Sequence, residues 1–418
     1  MHLHHATLNK SGQTTHAAMS ASLASPSSPP APTLPAGLPS RLPKVGTTIF
    51  TVMSQLAAQH GAINLGQGFP DFDCDPALLD AVTRAMHGGA LANQYPPMAG
   101  LPVLREAIAA KVQALYGASY DPATDITITA GATQAILTTI LALVHPGDEV
   151  IVIEPAYDSY VPNIELAGGV PVFVPLNPAD YSVPWDRVRA AITPRTRLLM
   201  LNFPHNPTAT TLKAADIAEL KRIVADTGIW LLSDEVYEHM VFDGLPHNSL
   251  ARYPELRERA VIVSSFGKTY HVTGWKVGYV LAPAALMAEF RKVHQFNVFT
   301  VNTPMQAGLA AYMADPAPYL RLPAFYQAKR DRFAAGLAST RFRLRPSEGT
   351  YFLLASYEDL DTPLGEEAFC KWLTTEVGVA AIPLSPFYAQ PVENKMVRFC
   401  FAKKDETLDA ALTRLQAL

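Results

Sequence analysis

Two hydrophobic rhythms run through this chain from about residue 48 onward. IFTVMSQLAAQH, beginning at Ile49, spaces its apolar residues for a helix and meets a glycine stop at Gly61. Short, almost wholly apolar runs then alternate with longer helical patterns. The runs at 126–129, 150–153, 170–174, 198–201, 229–232, 261–263 and 277–280 predict strands, and 133–144, 214–226 and 285–297 predict helices. Strands that are apolar on both sides and separated by helices indicate a mainly parallel sheet covered on both faces.

After about residue 300 the texture changes. Helical patterns at 303–313 and 321–338 lead into strand-like runs at 342–345, 351–355, 379–382 and 397–401, and a helix at 406–416 closes the chain. This reads as a second, smaller α+β domain. The opening segment is different material. Lys10 is the one charged residue among the first forty, and 25–35 reads SPSSPPAPTLP. Such a stretch buries little, so a disordered tail is expected over 1–42. It lacks the apolar centre of a secretory signal and the arginines of a mitochondrial presequence. His2, His4, His5 and His16 are read as tail residues without a metal to hold.

Composition then narrows the function. The chain has 418 residues, with 33 basic against 37 acidic side chains and a net charge of −4. That balance argues against a general nucleic-acid binder, which needs a positive surface. Cys74, Cys370 and Cys400 stand far apart, with no CxxC pair, no zinc quartet and no disulfide framework. A reducing, cytoplasmic setting is expected. No uncharged apolar run reaches the roughly eighteen residues of a membrane-spanning helix, so no membrane partner is expected.

In open parallel sheets, ligands bind beyond the carboxyl ends of the strands, and several polar motifs stand there. GATQA at 131–135 follows a strand and opens a helix, where small residues let N–H groups approach an anion; a purely structural bend would look the same. In EPAYDSY, Tyr157 can lay its ring on a planar ligand or pack in the core. In NFPHNPTA, Asn206 offers a donor and an acceptor between proline turns, or is simply a turn residue. Asp234 sits where an apolar strand runs out, a costly place for a carboxylate unless a cation or donors satisfy it. Tyr237 follows three positions later, on the same side if a helix has begun there.

The stretch VIVSSFGKTYHVTGWKVGYV carries the most. Lys268 stands in a small polar turn directly after a strand, where an amine can lose its proton and form an imine with a carbonyl. FGKT is not a phosphate loop, because the pattern needs glycine at 262, where this chain has Ile262. A planar ring, a phosphate, a ring cation, a phenolic oxygen and an aldehyde would answer all these residues together. Pyridoxal 5′-phosphate has all five.

With INLGQGFPDF, NQYPPMAG, TAGATQA, EPAYDSY, NFPHNPTAT, SDEVYEH, SSFGKTYHVTGWKVGY, EGTYFLL, GVAAIPLSPF and VRFCFAKK, the sequence resembles the fold-type I, class I/II pyridoxal-phosphate aminotransferases. Within them it is similar to the bacterial methionine aminotransferase and kynurenine/glutamine aminotransferase branch. The resemblance covers the chain from about residue 45 to its end. It implies a three-layer αβα large domain with a mainly parallel seven-stranded sheet over 78–300. The small domain would be built from 43–77, with an N-terminal arm, and 301–418.

The resemblance also implies roles. Lys268 would be the Schiff-base lysine, Asp234 the partner of the ring nitrogen, and Asn206 and Tyr237 the partners of O3′. Tyr157 would stack on the ring, and Ala132, Thr133, Ser265 and Lys276 would bind phosphate. Arg398 would clamp the substrate carboxylate, helped by the backbone at Gly68, and Phe50 would line the side-chain pocket near Phe387. Tyr95 would reach the phosphate of a partner subunit, so a homodimer is implied. The expected activity is ping-pong transamination between methionine, aromatic or other apolar L-amino acids and a 2-oxo acid. β-Elimination on sulfur-containing amino acids and a non-catalytic regulatory protein of the same fold are the alternatives.

Overall fold

The computed structural model describes residues 37–390 and 392–418. The expected disordered tail, with its histidines, therefore lies outside the described residues as far as position 36. Contacts divide the chain after Pro43, and Lys44–Leu418 forms one compact unit.

Thirteen strands are described: β1 (Ile63–Asn64), β2 (Ile126–Thr129), β3 (Glu149–Glu154), β4 (Val170–Pro175), β5 (Thr196–Asn202), β6 (Trp230–Asp234), β7 (Ala260–Ser265), β8 (Gly278–Leu281), β9 (Arg343–Leu344), β10 (Phe352–Ser356), β11 (Val379–Ala380), β12 (Ile382–Pro383) and β13 (Met396–Cys400). Seven form one sheet in the order β2-β8-β7-β6-β5-β3-β4. Its pairings are parallel from β4 through β3, β5 and β6 to β7, while β8 runs antiparallel to both neighbours.

Side-chain alternation explains the three layers. Val150, Val152, Leu198, Met200, Val261 and Val263 face one side, against Ile136 and Ile140 of helix Gly131–Leu143 and Met287 and Phe290 of helix Ala284–Asn297. Ile151, Ile153, Leu199, Leu201 and Ile262 face the other, where the core takes in Ile108 of helix Pro102–Tyr116 and Leu220 of helix Ala214–Asp226. A strand with both faces covered has no need of polar alternation, which is why these runs are almost purely apolar.

The remaining strands form two smaller sheets, an antiparallel β12-β13-β10-β9 and a parallel β1-β11 pair. All strands of the large sheet fall between residues 78 and 300, and all of the smaller sheets fall outside that range. Two expectations need correction. The single run at 379–382 breaks at Ala381, because β11 pairs with β1 while β12 pairs with β13. β6 does not stop with its apolar residues but continues through Ser233 to Asp234, since its backbone still pairs with Leu201 and Asn202 of β5. Among the described residues no helix is long and apolar enough to cross a membrane.

Candidate active site

The parallel strands end along one edge of the large sheet, and that edge is rich in polar residues. β5 ends at Asn202, β6 at Asp234 and β7 at Ser265, with Asn202 paired to Asp234. β8 is reversed, so Lys276, just before its start, arrives at the same edge; Gly131, just after the end of β2, joins it. Above this edge opens a cavity of about 450 Å³, whose lining also includes Gly68, Phe352 and Arg398.

Asp234 lies on its floor, 6% exposed. The Tyr160 hydroxyl donates to its Oδ2 at 2.8 Å and the Val236 N–H to its Oδ1 at 3.3 Å. Burial pushes this carboxyl up to about 6, while the Tyr160 hydroxyl, the Val236 N–H and nearby Lys268 pull the other way. Asn202 accepts the Asn206 N–H at 2.9 Å and donates to the Asp234 carbonyl at 3.2 Å, tying the Asn206 loop to the strand end. Residues 236–239 form a turn rather than the conditional helix. Tyr237 nonetheless reaches the cavity, its ring edge-on to Tyr351 at 5.2 Å, and burial holds its phenol well above the ordinary range.

Lys268 projects from the single turn Phe266–Thr269 that follows β7. Its Nζ donates to the Tyr351 hydroxyl at 2.9 Å and to the Gly68 carbonyl at 3.2 Å. Burial lowers this amine to about 8, with Arg398 and Lys276 pushing the same way against Cys400 and Asp234. An amine in that range is partly neutral near physiological pH and serves as nucleophile and base.

One end of the cavity is built for an anion. Gly131 has φ +77° and starts helix Gly131–Leu143, whose N-terminus no side chain caps. Ala132, Thr133, Ser265 and Lys276 line the same end. A Cβ on Gly131 would stand 3.4 Å from the Lys276 Nζ. Unpaired first-turn N–H groups beside an ammonium suit a phosphate.

The other end holds Arg398, which is 1% exposed. Its Nη1 donates to Asn206 Oδ1 at 2.6 Å, its Nη2 to the Gly66 carbonyl at 3.1 Å, and its Nε is buried without a hydrogen-bond partner. The guanidinium lies 3.8 Å from the centre of the Phe352 ring. Phe50 stands edge-on to Phe387 at 5.7 Å and lies 6.5 Å from Tyr157. The cavity thus gathers each sequence-predicted site residue except Tyr95, while Phe387 packs against Phe50 without lining the cavity itself. Tyr95 is 81% exposed and rests its ring against Phe299, away from this cavity.

The family profile described as aminotransferase class I and II matches residues 60–415. The chain belongs to this family. The class I/II aminotransferases similar to it include the Escherichia coli (strain K12) methionine aminotransferase, 54% identical over 380 residues that cover 91% of this chain and 98% of that one. A solved Escherichia coli structure with a methionine aminotransferase function superposes with a TM-score of 0.89 at 52% identity, covering 93% of this chain and 100% of that one. Rat kynurenine–oxoglutarate transaminase 1 is 34% identical over 408 residues, covering 90% and 96%.

This aminotransferase is a pyridoxal-phosphate enzyme, and its cavity fits that group. The uncapped helix end with Lys276 suits the phosphate, buried Asp234 suits a ring cation, and Lys268 presents an amine between them. Sequence reasoning missed several participants. Tyr160 opens the helix Tyr160–Leu166 just after Tyr157, and only its hydroxyl contact with Asp234, 74 positions away, shows its part. Tyr351 and Phe352 carried no local signal, since each acts through a partner distant in the chain, and Asn202 ties Asn206, four positions on, to the distant Asp234.

Proposed function

We propose that this aminotransferase moves the amino group of methionine and of aromatic or other apolar L-amino acids to a 2-oxo acid. The observation that carries the reading is the aromatic wall of Phe50, Phe387 and Tyr157 beside Arg398. The cations lining the cavity are Lys268, Lys276 and Arg398, and each has a task already. Asp158 adds negative charge to the same lining, which disfavours a second carboxylate on the donor. The methionine aminotransferase similarity agrees with this preference.

Bound pyridoxal phosphate would supply an aldehyde for the amine and a ring that accepts electrons from the donor's Cα. The protein's residues do the rest. The N-terminus of helix Gly131–Leu143, with Thr133, Ser265 and Lys276, holds the phosphate. Asp234 would keep a proton on the ring nitrogen, Asn206 and Tyr237 would hold the ring oxygen, and Tyr157 would stack on the ring. Arg398 takes the donor carboxylate with its fork, helped by the backbone at Gly68. Lys268, as a neutral amine, removes the Cα proton.

A homodimer belongs to the same reading. Leu91, Tyr95 and Phe296 are all more than four-fifths exposed. A second copy of the chain would cover such residues and receive Tyr95 at its phosphate site. A cytoplasmic setting is also part of it, supported by three cysteines that remain free thiols.

The test is a panel of amino donors against several oxo acids, with each product quantified. Methionine and phenylalanine should outrank aspartate, glutamate and N-succinyl-diaminopimelate in kcat/KM. A leading dicarboxylic donor would overturn the preference. Release of pyruvate and thiol without any acceptor would instead identify β-elimination.

A further inference from the structure

We propose that Tyr351 is a positioning residue that holds the unattached Lys268 amine with its lone pair turned free for chemistry. The inference rests on the role given to Lys268 under the proposed function. A neutral amine has two N–H bonds and one lone pair. Two acceptors meet Lys268 Nζ, the Tyr351 hydroxyl at 2.9 Å and the Gly68 carbonyl at 3.2 Å. Both N–H groups are thereby occupied and the lone pair is left over.

The direction of the tyrosine contact is fixed by its other bond. Tyr351 donates its single hydroxyl hydrogen to the Gly68 carbonyl. It therefore meets the amine only as an acceptor and never competes for the lone pair. Burial holds this phenol well above its ordinary range, so the proton needed for that bond stays in place.

The surrounding chain is shaped for this contact. Thr350, directly before Tyr351, has φ +66°, a conformation costly for a β-branched residue. Its N–H is held by the Met240 carbonyl at 2.8 Å, which anchors the turn that delivers the tyrosine. On the other side, a Cβ on Gly68 would come within 3.0 Å of Phe352 and 3.8 Å of Tyr351. Glycine at 68 is what lets a carbonyl sit this close to both the phenol and the amine.

Tyr351→Phe tests the idea by removing one oxygen and keeping the ring. In the full-length protein freed of cofactor, Lys268 is labelled with acetic anhydride across pH and its modification read by peptide mass spectrometry. The charged and titratable groups around the amine are Asp234, Arg398, Lys276, Cys400 and Tyr237, besides Tyr351 itself. The variant retains the first five. An acceptor stabilises an ammonium more than an amine, so its loss should lower the midpoint by roughly half a pH unit or more. In the loaded enzyme kcat for methionine should fall roughly tenfold while KM stays within about twofold. A midpoint equal to that of the unaltered protein overturns the proposal, whatever the rate does. Failure of the unaltered enzyme to transaminate would sink the functional reading alone, because the labelling uses neither donor nor cofactor.

Discussion

Arg398 Nη1 donates to Asn206 Oδ1 at 2.6 Å, although 192 positions separate the two residues and one lies in β13 while the other lies in the loop after β5. The bond divides the Asn206 amide between two tasks. Its oxygen orients the guanidinium, and under the proposed function its NH2 would hold the ring oxygen of the cofactor. Phe352 below the guanidinium and the Gly66 carbonyl beside it complete the fixation.

Arg398→Lys should therefore be far from conservative. Lysine keeps the charge but loses the fork, the contact to Asn206 and the stacking on Phe352. We expect kcat/KM for amino donors to fall about a hundredfold, ~3 kcal/mol, mostly through KM. Steady-state kinetics with methionine check this, and a loss confined to kcat would contradict the clamping role.

Asp234→Asn should separate stability from function. The folded protein keeps the Asp234 proton up to about pH 6, whereas an unfolded chain releases it near pH 4. Between those values the native state binds more protons, so this group's contribution to stability falls as pH rises through the window. At pH 7 the cofactor-free protein bears the cost of a buried charge, of order 3 kcal/mol. The asparagine variant should unfold at higher urea concentration at pH 7, lose the pH 4 to 6 dependence and remove the Cα proton far more slowly. A less stable variant at pH 7 would mean that Tyr160 and the Val236 N–H more than offset the burial.

Lys268→Ala should abolish multiple turnover, with a loss of at least about 10⁴-fold. Borohydride treatment of the loaded, unaltered protein should fix pyridoxyl phosphate to Lys268, read by peptide mass spectrometry. Label on another lysine, or full activity in the variant, would remove the mechanism's centre.

Mixing two inactive variants tests the shared site. If Tyr95 serves the partner subunit, a dimer of one Lys268→Ala chain and one Tyr95→Ala chain has one intact site and one doubly defective site. Random reassociation would restore about a quarter of the unaltered activity. Recovery no greater than the sum of the separate variants would place Tyr95 outside the partner's cavity.

Much of this was legible in the sequence. The apolar runs and their spacing mark the seven strands, most clearly β3 and β7, which are buried along their whole length, whereas the edge strand β4 is only partly buried. Asp234, Lys268 and the 131–133 turn follow from the same pattern, as polar residues where such strands end. The end of β6 and the break at Ala381 were not legible, because backbone pairing with a distant strand sets them. Tertiary structure alone decided that Tyr160 satisfies Asp234, that Asn206 orients Arg398 and that Tyr351 meets Lys268. A hydrogen bond acts over about 3 Å of space and leaves no periodic mark along the chain, so such partners become known only once the folded strands bring them together.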